Sequence, residues 1–245
     1  MIQSLERALM ILKCFEAKEE LGVTEISKEV ALHKSTTFNL ITSLEKLGLL
    51  EKTKDEKKYR LGLELFRLGT LVNASVRTVT RPYLEQLSES YLETVNLVKR
   101  NDLDVVYLEK LESPHSMRIG TKEGQQFPLY CTAVGKAIMA TLDDDEVMDI
   151  LDKTLFKQYT KYTLITKEEV MAQIQLVRHQ GYAEDIQEFE EGLTCVAVAI
   201  RNHYGKAEYA ISVSGPSTRM KKDFRSKISN TLVEVSKEIS RRIGY

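Results

Sequence analysis

Residues 23–63, VTEISKEVALHKSTTFNLITSLEKLGLLEKTKDEKKYRLGL, constrain this chain more than any other stretch. Their spacing predicts a helix, a short break, a second helix and a charged two-stranded wing. Thr24 reads as an N-cap ahead of Ile26, Val30 and Leu32, because its hydroxyl can accept from the free amides of a first turn. His33 and Lys34 interrupt the pattern, and Ser35 is placed to cap the next helix. There Phe38, Ile41, Leu44 and Leu47 recur every three residues, which predicts one apolar seam. Gly48 reads as the residue that ends this helix, since glycine takes the left-handed conformation without steric cost. Leu49–Lys52 and Lys58–Leu61 then flank a polar turn, Thr53–Lys57, suited to a hairpin.

The other side of the second helix carries Ser35, Thr36, Asn39, Thr42 and Ser43. A surface helix ordinarily presents Glu and Lys there. Short hydrogen-bonding groups with almost no charge suit base edges and phosphate oxygens in a DNA major groove. Around them lie Lys34, Lys46, Lys52, Lys54, Lys57, Lys58 and Arg60, against Glu45, Glu51, Asp55 and Glu56, so the segment can neutralise phosphates. The candidate nucleic-acid interface is Lys34, Ser35, Thr36, Thr37, Asn39, Thr42, Ser43, Lys57, Lys58 and Tyr59. A helix-turn-helix used only for protein packing is the alternative.

At 245 residues the chain has room for one or two domains. A hydrophobic fraction of 42% beside 29% charged residues places it among ordinary soluble globular proteins. The net charge of −1 weakens the nucleic-acid argument only slightly, because the basic excess is local and the acidic residues gather past Asp143. Cys14, Cys131 and Cys195 are isolated in apolar surroundings, with no C-x-x-C spacing. Neither a disulfide framework nor a metal site is expected, and a reducing cytoplasm is. The N-terminal MIQSLERALMILKCF lacks an apolar core followed by a cleavage site, and no run is long enough to span a bilayer.

Ser4–Ala17 reads as an amphipathic helix with Leu5, Ala8, Leu9, Leu12 and Phe15 on one face. Met10 and Ile11 widen that face beyond what one small domain uses, so part of it is expected to meet a partner chain. After the wing, Leu63–Val79 reads as a helix striped by Leu65, Phe66, Leu68, Val72, Val76 and Val79. Thr80-Arg81-Pro82 reads as a stop and a new start, since proline is tolerated in a first turn. From Thr94 the period changes. Val95–Val98 and Val105–Leu108 around Asn101-Asp102 predict a hairpin, Met117–Gly120 a further strand and Gln125–Tyr130 a loop. Ala133–Leu142 and Asp144–Leu151 read as helices, the acids of Asp143–Glu146 complementing a helix dipole. Thr166–Glu169 forms a capping box for a helix that Gly181 ends. Thr194–Ile200 and Ala207–Val213 read as strands around a Tyr204-Gly205 turn, and Lys221–Ile243 as a closing helix. The expected class is α+β: a winged helix-turn-helix domain over 1–63, a linker helix over 64–80, and a domain with an antiparallel sheet over 81–245.

The segments SLERALMILKCF and KSTTFNLITSLEKLGLLEK at the head resemble the IclR family of bacterial transcriptional regulators. So do PLYCTAVGKAIMATL, GYAEDIQEFEEGLTCVAVAI and ISVSGP in the second half. A winged helix alone is weakly specific; both ends in this order, at this length, are strongly specific. The resemblance implies a near-palindromic double-stranded DNA operator, a homodimer or dimer of dimers, and repression ahead of activation. It implies that the second domain is GAF-like and binds a small metabolite that modulates operator binding. It further implies effector contacts at Ile119, Phe127, Ala133, Val134, Asp185, Leu193, Cys195, Ser212 and Ser214. Read chemically, these make an apolar cup with one carboxylate, one thiol and two hydroxyls. Ser212 and Ser214 alternate along a strand and can face one side of the sheet. A small oxygen-rich metabolite would find donors in the serines and an acceptor in Asp185.

Two residues depart from the family pattern. Asn39 stands where Arg is common, and asparagine pairs bidentately with adenine where arginine favours guanine or phosphate. Ala199 stands where proline is frequent, which puts a local bend in question. No cofactor, metal, membrane contact or catalytic residue is expected. Beside a DNA-binding module whose second domain serves only dimerisation, two rival chemical readings stay open. One is an enzyme using Cys195 or Cys131, which needs a base such as His203 within reach. The other is a metal-responsive regulator, although no His and Cys lie at ligand spacing.

Overall fold

A computed structural model describes residues 2–16, 18–53, 57–71, 74–118 and 120–243. Three expectations lie outside the described residues: the wing turn at 54–56, Val72 of the helix stripe, and the effector candidate Ile119. The chain folds as two compact units, Met1–Ala74 and Ser75–Tyr245.

The first unit contains α1 (Gln3–Lys13), α2 (Val23–Glu29), α3 (Lys34–Lys46), the wing strands β1 (Leu50–Lys52) and β2 (Tyr59–Leu61), and α4 (Leu63–Gly69). Gly22, not Thr24, begins α2; its N–H donates to Glu25 Oε2 at 2.9 Å, which closes the turn before Thr24 is reached. His33, not Ser35, caps α3, its Nδ1 accepting from the Ser35 N–H. The buried seam of α3 is Thr37, Ile41 and Leu44, while Phe38 is 50% and Leu47 65% exposed. The reason is geometric. A step of three residues falls about 60° short of a full turn, so four residues spaced this way cannot stay on one face. On α1, Leu5 and Leu9 share a face that is 65% and 55% exposed, while Ile11, well round the helix from them, is the buried residue. Together Ile11, Cys14, Phe15, Leu21, Ile26, Ile41, Leu44, Leu50 and Tyr59 form the core of this unit. Gly48, at φ +71°, lets the chain double back against Gly62, where a Cβ would stand 2.1 Å from Gly48 O.

The second unit begins with α5 (Ala74–Tyr91). This helix runs through Pro82 instead of stopping there. Arg81, one residue before the proline, bonds Glu85 at 2.7 Å on the helix and the buried Glu109 at 2.6 Å on the sheet, so tertiary contacts hold both sides of the break. A six-stranded antiparallel sheet follows, in the order β5-β4-β3-β8-β7-β6. Its strands are β3 (Thr94–Asn101), β4 (Asp104–Leu111), β5 (Gln126–Pro128), β6 (Ala183–Ile186), β7 (Leu193–Arg201) and β8 (Ala207–Pro216). The helices are α6 (Ala133–Met139), α7 (Asp144–Lys153), α8 (Lys167–Gln180) and α9 (Lys222–Arg242).

The two-residue period of the strands sorts the cores. Val196, Val198, Ile211 and Val213 face α5 and α9, while Cys195, Ala197 and Ala210 face α6–α8. Two local expectations fail here. Met117, Arg118 and Gly120 are irregular instead of a strand, in a segment tied by Lys110 Nζ to Thr121 O at 2.6 Å. Gln126–Pro128, expected as loop, pairs with β4 at the sheet edge, where the missing N–H of Pro128 leaves no ladder bond unmade. The expected capping box at Thr166–Glu169 is formed, Asp143 and Glu146 form a second one at the start of α7 that the first-turn acids did not announce, and Gly181 ends α8 at φ +82°. Every residue of α6 is buried, Lys136 included. Its small residues allow that depth: a Cβ on Gly135 would lie 2.2 Å from Leu129 O.

Candidate functional site

Two places carry chemistry, one in each unit. In the head, α3 presents Lys34, Ser35, Asn39 and Ser43 to solvent, with Thr36 and Thr42 half-buried beside them and Lys57 and Lys58 exposed on the wing. Thr42 Oγ1 donates to Phe38 O and Ser43 Oγ to Asn39 O, both at 2.9 Å. Their protons are returned to the helix, so toward a ligand these hydroxyls act first as acceptors. Two candidates are corrected by the fold. Thr37 is buried with Oγ1 donating to His33 O at 3.2 Å. Tyr59 is buried in the head core, drawn there by its ladder pairing with Leu21. Both side chains are turned into the fold, away from solvent. Among the flanking cations, Arg60 bonds Glu51 across the wing at 2.6 Å and Lys52 lies 3.8 Å from Glu45.

In the second unit a cavity of about 280 Å³ opens between the sheet and the N-terminal end of α6. Thr132 caps α6, accepting from Gly135 N at 3.2 Å and donating to Pro128 O at 2.8 Å, which ties the helix start to β5. Of the effector candidates, Phe127, Ala133, Val134, Asp185, Leu193, Cys195 and Ser212 line this cavity. They converge because strand register places Asp185 opposite Cys195 and Cys195 opposite Ser214, with Ser212 opposite Asn96 one row away. Ser214 is buried behind the lining, where Asn96 Nδ2 donates to Ser212 Oγ at 3.2 Å and to Ser214 Oγ at 3.4 Å.

The electrostatics of this site depend on burial. Lys136 Nζ bonds Glu188 Oε1 beneath the cavity, and Glu188 Oε2 has no hydrogen-bond partner. Asp185 Oδ1 accepts the Glu188 N–H at 2.7 Å. Loss of water around Asp185 raises its carboxyl to about 7, with Lys136 opposing and the Glu188 carboxylate adding to the rise. Burial also pushes the Cys195 thiol well above its ordinary value, and Asp185 adds to that. A thiol held protonated is a poor nucleophile, and His203 sits instead on an exposed turn against the Tyr204 ring. Among the described residues no group of three or more His, Cys, Asp or Glu converges to hold a metal.

Sequence reasoning missed several residues of this site. Tyr107 and Phe189 supply aromatic walls, and Gly120, Thr121 and Gln125 reach the cavity from the irregular segment. Asn96, Lys136 and Glu188 stand behind it. A polar Asn96 inside the apolar run Val95–Val98 and a lysine inside the small-residue run AVGKAIMA were the available signals.

Comparison with known proteins agrees with this division. Residues 4–54 match the IclR helix-turn-helix domain, and residues 68–241 match the bacterial transcriptional regulator IclR C-terminal domain. The chain is 33% identical to the HTH-type transcriptional regulator KdgR of Dickeya chrysanthemi over 246 residues, covering 100% of this chain and 81% of that protein. It is 31% identical to the HTH-type transcriptional repressor AllR of Escherichia coli (strain K12) over 245 residues, covering 99% of this chain and 90% of that protein. In three dimensions it superposes on the crystal structure of an IclR homolog complexed with 4-hydroxybenzoate from Microbacterium hydrocarbonoxydans. There the TM-score is 0.87 over 98% of both chains, and at 21% identity the likeness is one of fold. The relatives are regulators of transcription and not enzymes, which removes the reading of Cys195 as a nucleophile. The chain belongs to the IclR family of bacterial transcriptional regulators.

Proposed function

We propose that this protein is a metabolite-responsive repressor. It occupies a near-palindromic operator as a homodimer or dimer of dimers, and an oxygen-rich small molecule in the second unit shifts its operator affinity. The observation that carries this reading is the pairing, in one chain, of a cation-flanked polar helix with a walled cavity of about 280 Å³. A ligand shifts DNA binding only by its difference in affinity for the two states of the protein, and α5, which starts at the boundary of the two units, would carry that difference. The repressor relative and the homolog bound to 4-hydroxybenzoate support the sign and the existence of an effector. Association of two copies is supported by Leu5, Leu9 and Met10 on α1 and Leu63 and Phe66 on α4, all large apolar side chains left exposed.

On the operator, α3 lies in the major groove. Lys34, Lys57 and Lys58 meet phosphates, while Ser35, Thr36, Asn39, Thr42 and Ser43 meet bases and backbone. Asn39 reads adenine, so an operator with guanine exchanged for that adenine should bind more weakly; equal affinity for both would remove Asn39 from base reading. Phe38, exposed beside Thr42, offers an apolar contact to a thymine methyl. The test is footprinting of the full chain on its own upstream DNA across a salt series, with its mass in solution measured in parallel. A protected near-palindrome and a dimeric or tetrameric mass are expected. Weak, sequence-independent protection by a monomer would overturn the reading.

A further inference from the structure

We propose that the second unit holds a second ligand site, separate from the effector cavity, and that its occupant is an organic anion whose apolar body rests on small side chains while its charge meets a cationic rim. The inference is independent of the effector reading above.

The site is a cavity of about 580 Å³ at the C-terminal end of α6, larger than the first at about 280 Å³ and of a size that takes a small molecule. Helix α6 and strand β7 serve the two cavities in turn. Ala133, Val134 and Cys195 line the first, whereas Ala137, Ala140 and Ala199 line the second. The buried Ala197 stands between Cys195 and Ala199 on β7, and the two described linings have no residue in common. Val177 near the end of α8 and Val233 on α9 complete an apolar floor.

The rim reverses the charge pattern of the first cavity. There the described lining carries Asp185 and Glu190 and no cation. Here Arg201 and His203 come from the end of β7 and its turn, Lys237 and Arg241 from α9, and no Asp or Glu is among the described lining residues. The dipole of α9 accounts for Arg241 in its last turn, but not for Arg201 and His203, which arrive from a strand. Arg201 Nη1 donates to Gly205 O at 2.7 Å. Partial loss of water lowers the Arg201 guanidinium, and no carboxylate opposes the effect. Lys237 lies 2.9 Å from Glu234 and Arg241 3.3 Å from Glu238, but both pairs are exposed on α9, where such pairs contribute little and exchange readily for a ligand. The neutral groups of the rim are donors too. Asn202 Oδ1 accepts the N–H groups of Tyr204 and Lys206, both at 3.0 Å, which leaves its Nδ2 to donate. Ser240 Oγ accepts the Arg201 N–H at 3.1 Å and keeps its own proton for a ligand. Cations and donors without a charged acceptor select an anion, and the floor of alanine and valine selects one with an apolar body.

The test is fluorescence titration of the full chain with two probes. One is 8-anilinonaphthalene-1-sulfonate, an aromatic anion; the other is N-phenyl-1-naphthylamine, the same body without the sulfonate. The sulfonate should bind saturably, about tenfold more tightly than the uncharged body, and more weakly as salt is raised. Lys237→Gln combined with Arg241→Gln should weaken the sulfonate about tenfold and leave the uncharged body unchanged. Ala199→Leu, which fills the floor, should weaken both probes. Should that variant not fold, the paired glutamine variant, changed only at exposed positions, carries the test alone. No saturable sulfonate binding, equal affinity for the two probes, or sulfonate affinity unchanged in the paired variant would each overturn the proposal and leave the effector reading standing.

Discussion

The two units handle polar chemistry in opposite ways. The head puts its charges on the surface, several of them for one task, and each is solvated before DNA arrives. Around its cavity the second unit buries polar groups and makes each depend on a neighbour: Glu188 on Lys136, Asp185 on the Glu188 amide, and Ser212 and Ser214 on Asn96. Surface charges meeting a polyanion contribute in small, nearly additive steps. Buried groups contribute in large, coupled ones, because a partner left alone keeps its full desolvation cost. The difference suits the tasks. Operator affinity can be graded, whereas recognition of one small ligand needs a site that is formed or not formed.

The comparison breaks first, if it breaks, at the two tightest backbone approaches. Gly62 in the head and Gly135 in the second unit each leave no room for a Cβ, at 2.1 Å and 2.2 Å from a carbonyl oxygen. Gly62→Ala and Gly135→Ala should each cost more than about 4 kcal/mol in chemical denaturation. Tolerance of either alanine within about 1 kcal/mol would show that those backbones can part.

Next come the ion pairs. Lys136→Met leaves Glu188 buried and alone and should cost about 3–5 kcal/mol, with much of the loss recovered by adding Glu188→Leu. In the head, Arg60→Ala breaks the exposed pair with Glu51 and should cost less than about 1 kcal/mol. Equal costs at the two places would erase the contrast.

The pH dependence of ligand-free stability sharpens it further. An unfolded aspartate titrates near 3.9, and Asp185 in the fold is raised to about 7. Between those values the folded state holds the extra proton. Asp185 therefore makes stability fall as pH rises through that window, by up to about 1.4 kcal/mol per pH unit, with no further change above it. Asp185→Asn should flatten the slope. An unchanged slope in the variant would mean Asp185 is ionised throughout.

The smallest expected effects belong to the head. Lys34→Ala and Lys58→Ala should weaken binding to all sequences a few-fold and reduce the salt slope by about one each. Tyr59→Phe and Thr37→Val, both at buried positions, should leave that slope untouched. A flatter slope in Tyr59→Phe would place the wing tyrosine on DNA after all.

Local chemistry was legible in the sequence. The acidic first turn at Asp143–Glu146, the capping box at Thr166–Glu169, the glycine stop at Gly181 and the turn at Asn101-Asp102 depend on neighbours within a few residues. Helix phase was less so. Phe38 and Thr37 are adjacent, and it is the polar Thr37 that is buried while the aromatic Phe38 is exposed, a choice made by tertiary packing and not by residue type. Edge strands β5 and β6 are too short to have a period, and α5 survives Pro82 through a contact with Glu109, 28 residues beyond Arg81. The cavity's residue types came from the family resemblance. Its support did not, because Lys136 and Glu188 meet across 52 residues of chain and nothing local announces the pair.

The most direct test of the account is the operator affinity of the full chain, titrated with a small-molecule fraction of cell extract at fixed pH and salt. The account predicts a protected near-palindrome whose affinity falls as the fraction is added and returns when it is dialysed away. Affinity unchanged at every dose, in protein that the same fraction stabilises against heat, would contradict it, because the two units would then not be coupled.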